Sequence, residues 1–381
     1  MSDTRIDFLY LNEKDMIDAG VLDAGHCVET MEEVLCLLAK GDVLMGGKNR
    51  REHGIQLIFP KESEIPGFPL EDSRDRRFMS MPAYLGGRFH LAGEKFYGSN
   101  GRNVRKGLPR SILMATLNDV ETGAPLAYMS ANLLSSMRTG AMPGLATKLL
   151  AREDSKVLTM LGAGPIAKAC FRAIMTNAKN IDTVKIKAGS LKSKTAAALK
   201  EFIETHYKQV KEVIICETLE EAVRGSDIIS ESVSVKPGQY PTYKKEWLKP
   251  GVTLIATSFF NMDKKELVSI RKVVDNWKMY EEYGIEDEEG YDENGMRKAT
   301  GCMGEEFYYM VEDGLITRDS IDHLGEIIRG KKPGRKSDDE IIFVAIEGMP
   351  IEDVAWGSEI YRNAVDHGIG TQLKIWDHSS R

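Results

Sequence analysis

Apolar and polar positions alternate in two different rhythms along this chain. Over residues 1–130 the pattern is mixed. Lys14–Lys40 carries Val28, Met31, Val34, Leu35 and Leu38 at helical spacing. Short strand-like runs follow at Phe78–Tyr84, Phe89–Tyr97 and Ser111–Asn118, and Glu121–Pro125 reads as a hairpin turn between Met114–Leu117 and Leu126–Met129. This predicts an antiparallel sheet with helices at its side. From about residue 133 the rhythm becomes helix, strand, helix, strand. Leu133–Leu150 is a long helical stretch, Val157–Leu161 a buried strand, and Ser193–Tyr207 a helix with Leu199, Phe202 and Ile203 on one face. Val213–Cys216, Asp227–Ser230 and Val252–Thr257 read as further buried strands. Alternating units of this kind predict a parallel, doubly wound sheet. Ile341–Trp376 has an apolar strand and then a helical pattern, and is expected to return to the first domain. The fold class is therefore α/β, with a Rossmann-type dinucleotide domain over 133–340 and an α+β domain over 1–132 together with 341–381.

The most telling junction is Val157–Leu161 followed by Gly162-Ala-Gly164-Pro165-Ile166-Ala167. Gly162 permits a tight turn, Gly164 lets backbone N–H groups approach a pyrophosphate, and Ala167 lets the helix pack close to the strand. The helix N-terminus then faces the anion. The alternative is an ordinary strand-to-helix turn. Gly162, Gly164, Pro165 and Ile166 are assigned to the cofactor, with Ser232 and Ser258 just past later strands.

The second strand of such a unit selects the cofactor. An acidic residue at its end would accept from ribose hydroxyls and repel a 2′-phosphate. Here Val184-Lys-Ile-Lys187 runs into Ala188-Gly-Ser190, Lys192 and Lys194, with no carboxylate. A hydroxyl and ammonium groups suit a phosphomonoester, so Ser190, Lys192 and Lys194 point to NADP(H), with NAD(H) still possible. The alternative, lysines that merely solvate a helix start, is disfavoured because cations are unfavourable there without an anion.

Composition adds little and excludes some classes. The chain has 381 residues, 42% apolar and 29% charged, as for a globular enzyme of about two domains. A net charge of −7 argues against a nucleic-acid partner. The N-terminal residues lack the apolar core of a secretory signal, and no run approaches a membrane span. The five cysteines form no C-x-x-C pair, which predicts reduced thiols in a soluble cytoplasmic protein and no metal site. The acidic stretch Glu281–Asn294 reads as a solvated loop or helix end, with metal binding as the alternative.

Two cations stand in unusual settings. Lys95 lies where Leu91-Ala-Gly-Glu-Lys95 enters Phe-Tyr-Gly-Ser-Asn100, and Arg138 lies among Leu133-Leu-Ser-Ser-Met-Arg138-Thr-Gly-Ala141. Buried charges need partners, so each is either a structural ion pair or part of a site.

These segments carry a resemblance. Lys95–Asn103, Ala131–Gly144 and Gly162–Pro165 resemble the ornithine cyclodeaminase/μ-crystallin family, and Gly251–Leu267 and Gly334–Val354 do so less closely. More narrowly, the chain is similar to a bacterial branch of that family often called a tyramine oxidase component. The resemblance implies a homodimer built through the N-terminal domain, and an NAD(P)-dependent enzyme acting on an amino acid or its imine. It implies that Arg138 holds a substrate carboxylate and that Lys95 sits beside the reacting amine as a catalytic group. Two departures are visible. Aligned through Lys264, the family's loop aspartate falls on Phe260, so ornithine cyclisation is not expected; Asn261 or Asp263 could approach instead. The first-domain arginine that helps bind the carboxylate is replaced by Lys48, with Arg50 or Arg51 as alternatives. Lys48, Phe260 and Asn261 are assigned to substrate, although core packing under the loop is an equal reading for Phe259 and Phe260. The expected activity is an NADP(H)-dependent oxidoreductase at a C–N bond. A cyclodeaminase-like deaminase and a non-catalytic NADP- and ligand-binding protein are the alternatives.

Overall fold

The computed structural model describes residues 4–47, 49–71, 73, 75–234, 240–286 and 301–379. The chain divides into two compact units. The first comprises Met1–Asp23, Lys40–Arg138 and Met349–Arg381; the second comprises Ala24–Ala39 and Thr139–Gly348.

The first unit is built on an eight-stranded sheet. Its order is Thr371–Trp376, Ile6–Leu11, Pro125–Ser130, Ser111–Asp119, Leu91–Ser99, Arg77–Leu85 and Val43–Met45, with Ile55–Ile58 also paired to Arg77–Leu85. All pairings are antiparallel except that of Ile6–Leu11 with Pro125–Ser130. Side-chain alternation fixes which face is inside. Met79, Met81, Ala83 and Leu85 are buried on one strand, while Phe78, pointing to the other face, is exposed. The helix Pro350–His367 covers the inner face, and Trp356 in its middle is fully buried with its indole N–H donating to the Val21 carbonyl at 3.3 Å. Gly93 makes this packing close. A methyl there would meet the Thr116 carbonyl oxygen at 2.4 Å and Val354 at 3.3 Å.

The second unit is an eight-stranded sheet in the order Glu212–Ile215, Thr183–Lys187, Val157–Leu161, Ile228–Glu231, Thr253–Ala256, Ile342–Ala345, Arg271–Val274 and Ile321–His323. Every pairing in it is parallel. Ile228–Glu231, Thr253–Ala256 and Ile342–Ala345 are buried at each residue, as strands covered on both faces must be. The chain leaves Val157–Leu161 in one direction and returns on its other side at Ile228–Glu231. That reversal opens a crevice at the carboxyl ends of these two strands. Helix Asn132–Leu150 carries Gly140 and Gly144, where a methyl would lie 2.4 Å from the Ala169 carbonyl carbon and 2.7 Å from the Ala173 Cβ. Helix Pro165–Asn177 therefore packs almost backbone to backbone against it.

Three expectations about organisation are corrected. The apolar strand near 341 does not return to the first unit; Ile342–Ala345 pairs with Thr253–Ala256 and Arg271–Val274 inside the parallel sheet, where its wholly apolar run is buried. The pattern over Lys14–Lys40 is two helices, Glu13–Asp18 and Ala24–Lys40. Asn12 and Asp15 form a capping box at the start of the first, and Gly20 at φ +90° follows its end. The second of these helices groups with the parallel-sheet unit: a methyl on Gly325 would meet the Leu35 carbonyl oxygen at 2.7 Å, and Arg329 donates to the Ala39 carbonyl at 2.9 Å. Among the described residues no helix is long and apolar enough to cross a membrane.

Candidate active site and nucleotide crevice

In the first unit the inner face of the sheet carries one cation in an apolar row. Lys95 sits in register with Met81 on one neighbouring strand and Ala115 on the other, and Ala115 in turn faces Met129. The alternation that buries Leu91 and Ser99 forces Lys95 inward too, to 3% exposure. Its Nζ donates to Asp353 Oδ2 at 2.7 Å and to Ser135 Oγ at 3.2 Å. Arg138, equally buried, donates from Nε to Asp353 Oδ1 at 3.0 Å and from a terminal nitrogen to Glu352 Oε2 at 3.0 Å. Glu352 and Asp353 lie in the first turn of helix Pro350–His367, where the macrodipole favours anions and Pro350 starts the helix without losing a hydrogen bond. Being adjacent, they diverge around the helix. Glu352 bonds Arg138, and Asp353 bridges both cations.

Two buried cations thus face two buried anions, and their titration follows from this. Burial, with the Arg138 guanidinium beside it, pushes the Lys95 ammonium down to about 8, against the pull of Asp353 and Glu352. Burial also opposes the charge of Arg138, but Asp353 and Glu352 outweigh it and hold Arg138 above its ordinary value. Burial alone would raise the Asp353 carboxyl; Arg138 and Lys95 overcome that and hold it below the usual range. The result is a fixed anion, a fixed guanidinium and an amine that changes protonation near neutral pH. That is the equipment for gripping a carboxylate and moving one proton.

In the second unit the glycine turn has the shape a pyrophosphate requires. Gly162 has φ +102°, and a methyl there would press on the Ser232 carbonyl oxygen at 2.9 Å. Its N–H is bonded to the Lys187 carbonyl at 2.9 Å. Gly164 is the N-cap of helix Pro165–Asn177 with no side-chain cap, and a methyl there would meet nothing within 4 Å. Open space thus lies over a helix start, with Pro165 exposed and Ile166 half-buried beside it. Ser190, Lys192 and Lys194 are all exposed at the end of the neighbouring strand, and Ser193 caps the following helix by accepting from the Ala196 N–H at 3.3 Å. Lys187 instead folds back on the Ala188 carbonyl at 2.7 Å. These residues fit a phosphorylated dinucleotide.

Ser232 and Ser258 flank a group that the sequence reading passed over. Glu231 ends strand Ile228–Glu231 and is 1% exposed. The Ser258 hydroxyl, with one proton to give, lies 3.1 and 2.9 Å from its two oxygens and 2.9 Å from the Val233 carbonyl, and the Val233 N–H donates to Oε1 at 2.6 Å. Burial pushes this carboxyl up to about 8 despite those bonds.

Of the remaining assigned residues, Phe260, Asn261 and Asp263 lie in one stretch after strand Thr253–Ala256. Lys48 lies outside the described residues. Phe260 is 1% exposed and stacks on Tyr243 at 3.5 Å between centroids, with Phe343 edge-on at 5.4 Å. Asn261 donates to Thr242 Oγ1 at 2.8 Å in the short pairing of Thr242–Tyr243 with Asn261–Met262. Asp263 caps the helix Lys264–Val268. Most of Glu281–Asn294 lies outside the described residues, and among those described no group of acidic, histidine or cysteine side chains is placed to hold a metal.

Residues 22–368 match the ornithine cyclodeaminase/mu-crystallin family. The chain is 27% identical to N-((2S)-2-amino-2-carboxyethyl)-L-glutamate dehydrogenase of Staphylococcus aureus, over 97% of this chain and 99% of that protein. It is 30% identical to the alanine dehydrogenase of Archaeoglobus fulgidus, over 91% of this chain and 98% of that protein. A solved archaeal alanine dehydrogenase dimer with bound NAD superposes with a TM-score of 0.76 at 26% identity, covering 97% of this chain and all (100%) of the other.

Proposed function

This chain belongs to the ornithine cyclodeaminase/mu-crystallin family, and on that premise we propose that it is an NADP(H)-dependent oxidoreductase acting on the C–N bond of an amino acid or its imine. The observation that carries this reading is the buried Lys95–Asp353–Arg138–Glu352 network. Its relatives include dehydrogenases named for amino-acid substrates.

Arg138 has five N–H donors, of which Asp353 and Glu352 engage one each. Those left over grip the substrate carboxylate and set its orientation. Lys95 gives a proton to the imine nitrogen in reduction and takes one from the amine in oxidation. Asp353 holds both cations in place. The cofactor, when bound, supplies hydride transfer at the carbon of the C–N bond. Gly162 and Gly164 hold its pyrophosphate, and Ser190, Lys192 and Lys194 hold its 2′-phosphate. Phe260 stands where the family's loop aspartate aligns, and it is packed among Tyr243 and Phe343. That side chain supplies no carboxylate for cyclodeamination.

The first unit serves as the substrate and dimerisation domain, and the second as the NADP domain. The outward sheet face of the first unit supports a homodimer. It exposes Leu57, Phe78, Phe96 and Ile112, with Phe78 stacked on Phe96 at 6.1 Å. A cytoplasmic location is consistent with five cysteines that form no disulfide.

The test is an initial-rate screen with NADPH and NADH against cyclic imines and against keto acids plus amines, and the reverse with amino acids. Turnover with NADPH preferred is expected. Ammonia release from ornithine with no net cofactor change, or tight ligand binding with no turnover across the panel, would overturn the reading.

A further inference from the structure

Glu231 is a buried acid for which the reaction above has no use. Its position gives it one. The strands Val157–Leu161, Thr183–Lys187 and Glu212–Ile215 form one mononucleotide-binding half, and Ile228–Glu231 begins the other. In such a sheet the adenosine end lies over the first half, where Ser190 and Lys192 are. The nicotinamide end then lies over the second, beginning at Glu231. The next residue, Ser232, is the one whose carbonyl a side chain at Gly162 would strike, so Glu231 stands one residue from the glycine turn.

We infer that Glu231 reports the redox state of the nicotinamide, releasing a proton to solvent when the cationic oxidised cofactor binds and keeping it when the neutral reduced cofactor binds. The inference rests on the NADP(H) reading of this crevice. Its physical basis is that, among the described residues, no counter-charge is bonded to this acid. Among the described residues no lysine, arginine or histidine pairs with Glu231; its hydrogen bonds come from the neutral Ser258 hydroxyl and from the Val233 and Ser258 backbone. A buried carboxylate without a cation is costly, so the neutral acid prevails near neutral pH. The oxidised nicotinamide, held near this strand end, would bring positive charge into a poorly screened interior and favour ionisation of Glu231. The titratable groups facing Glu231 from neighbouring elements are Cys170 and Tyr243. Burial pushes the Cys170 thiol up to about 12 and Tyr243 well above its ordinary value, so both stay neutral where Glu231 titrates.

The sign follows from linkage. Bound oxidised cofactor lowers the Glu231 value below its free value of about 8, so affinity for NADP⁺ rises with pH up to that point and then levels. Affinity for NADPH lacks this dependence. The 2′-phosphate titrates in both and cancels in their ratio.

The experiment measures dissociation constants of NADP⁺ and NADPH for wild type and Glu231→Gln by calorimetry between about pH 6 and pH 9. For wild type the ratio of the NADP⁺ constant to the NADPH constant should fall by at least about threefold with rising pH, and by no more than about tenfold per pH unit for one proton. For Glu231→Gln it should be flat. Wild type alone gives a second readout. Titrations in buffers of different ionisation enthalpy count the protons released, and NADP⁺ should release more than NADPH. A flat wild-type ratio, equal proton release, or a slope retained in Glu231→Gln overturns the inference. Failure of both nucleotides to bind would instead remove the cofactor reading itself.

Discussion

Asp353 and Glu231 are both carboxylic acids sealed from solvent at 1% exposure, yet they are held in opposite protonation. Asp353 lies between Lys95 and Arg138 and is held ionised. Glu231 has a serine hydroxyl and a backbone N–H for company and is pushed up to about 8. Burial is the same in both cases. The partner decides. In the first unit the acid's charge is matched by two built-in cations; in the second no cation among the described residues pairs with the acid.

That contrast can be broken in several ways. The largest effect is expected from Asp353→Ala. Removing the acid leaves two cations buried together, which costs about 3–5 kcal/mol of stability and is read from denaturant unfolding, with activity lost as well. Next, Lys95→Met should lower kcat/KM by about 10²–10⁴-fold while leaving nucleotide affinity nearly unchanged. In wild type, kcat/KM for reduction should be level below pH about 8 and fall above it, because the protonated amine is the proton donor and is lost there. The Lys95 variant should lose that break, and its persistence would take the proton away from Lys95. A smaller effect is expected from Lys192→Ala combined with Lys194→Ala. The proposed function gives these exposed charges the 2′-phosphate to hold, and on that reading the ratio of NADPH to NADH affinity should fall about tenfold. The smallest is Ser258→Ala. It removes a hydroxyl donor to a neutral acid and should cost about 1 kcal/mol in unfolding, several times less than the loss at Asp353.

What could be read in the sequence was local or periodic. The strand at Val157–Leu161, its glycine turn and the helix from Pro165 are contiguous, so their geometry is written in one stretch. Lys95 is marked in the sequence by a strand that runs into a Gly/Asn-rich turn, and Arg138 by its apolar helical neighbours; that the strand turns Lys95 inward is seen only in the structure. Their partners were not legible. Asp353 is 258 positions from Lys95 and Glu352 is 214 from Arg138, and no local rule pairs them. The available signal was an adjacent Glu352-Asp353 inside the apolar run Met349–Trp356, just after a proline. Glu231 was missed for another reason. The local rule looks for a carboxylate at the end of the second strand of the parallel unit, where none exists, and the apolar pattern over 227–230 ends one residue before the strand does. Ile342–Ala345 looked like the start of a returning tail, although a fully apolar four-residue run fits the interior of a parallel sheet better.

Gly140 and Gly144 bear on how fast the nucleotide crevice can come apart. With nothing larger than the methyls of Ala169 and Ala173 between them, helix Asn132–Leu150 and helix Pro165–Asn177 touch. Loosening the phosphate-facing helix would mean separating two backbones already in contact, with no flexible side chain to absorb the movement. Amide hydrogens in the middle of Pro165–Asn177 should therefore exchange with solvent among the slowest in the second unit, through opening of the whole unit and not through local fraying. A methyl at either glycine would turn that region into one of fast exchange.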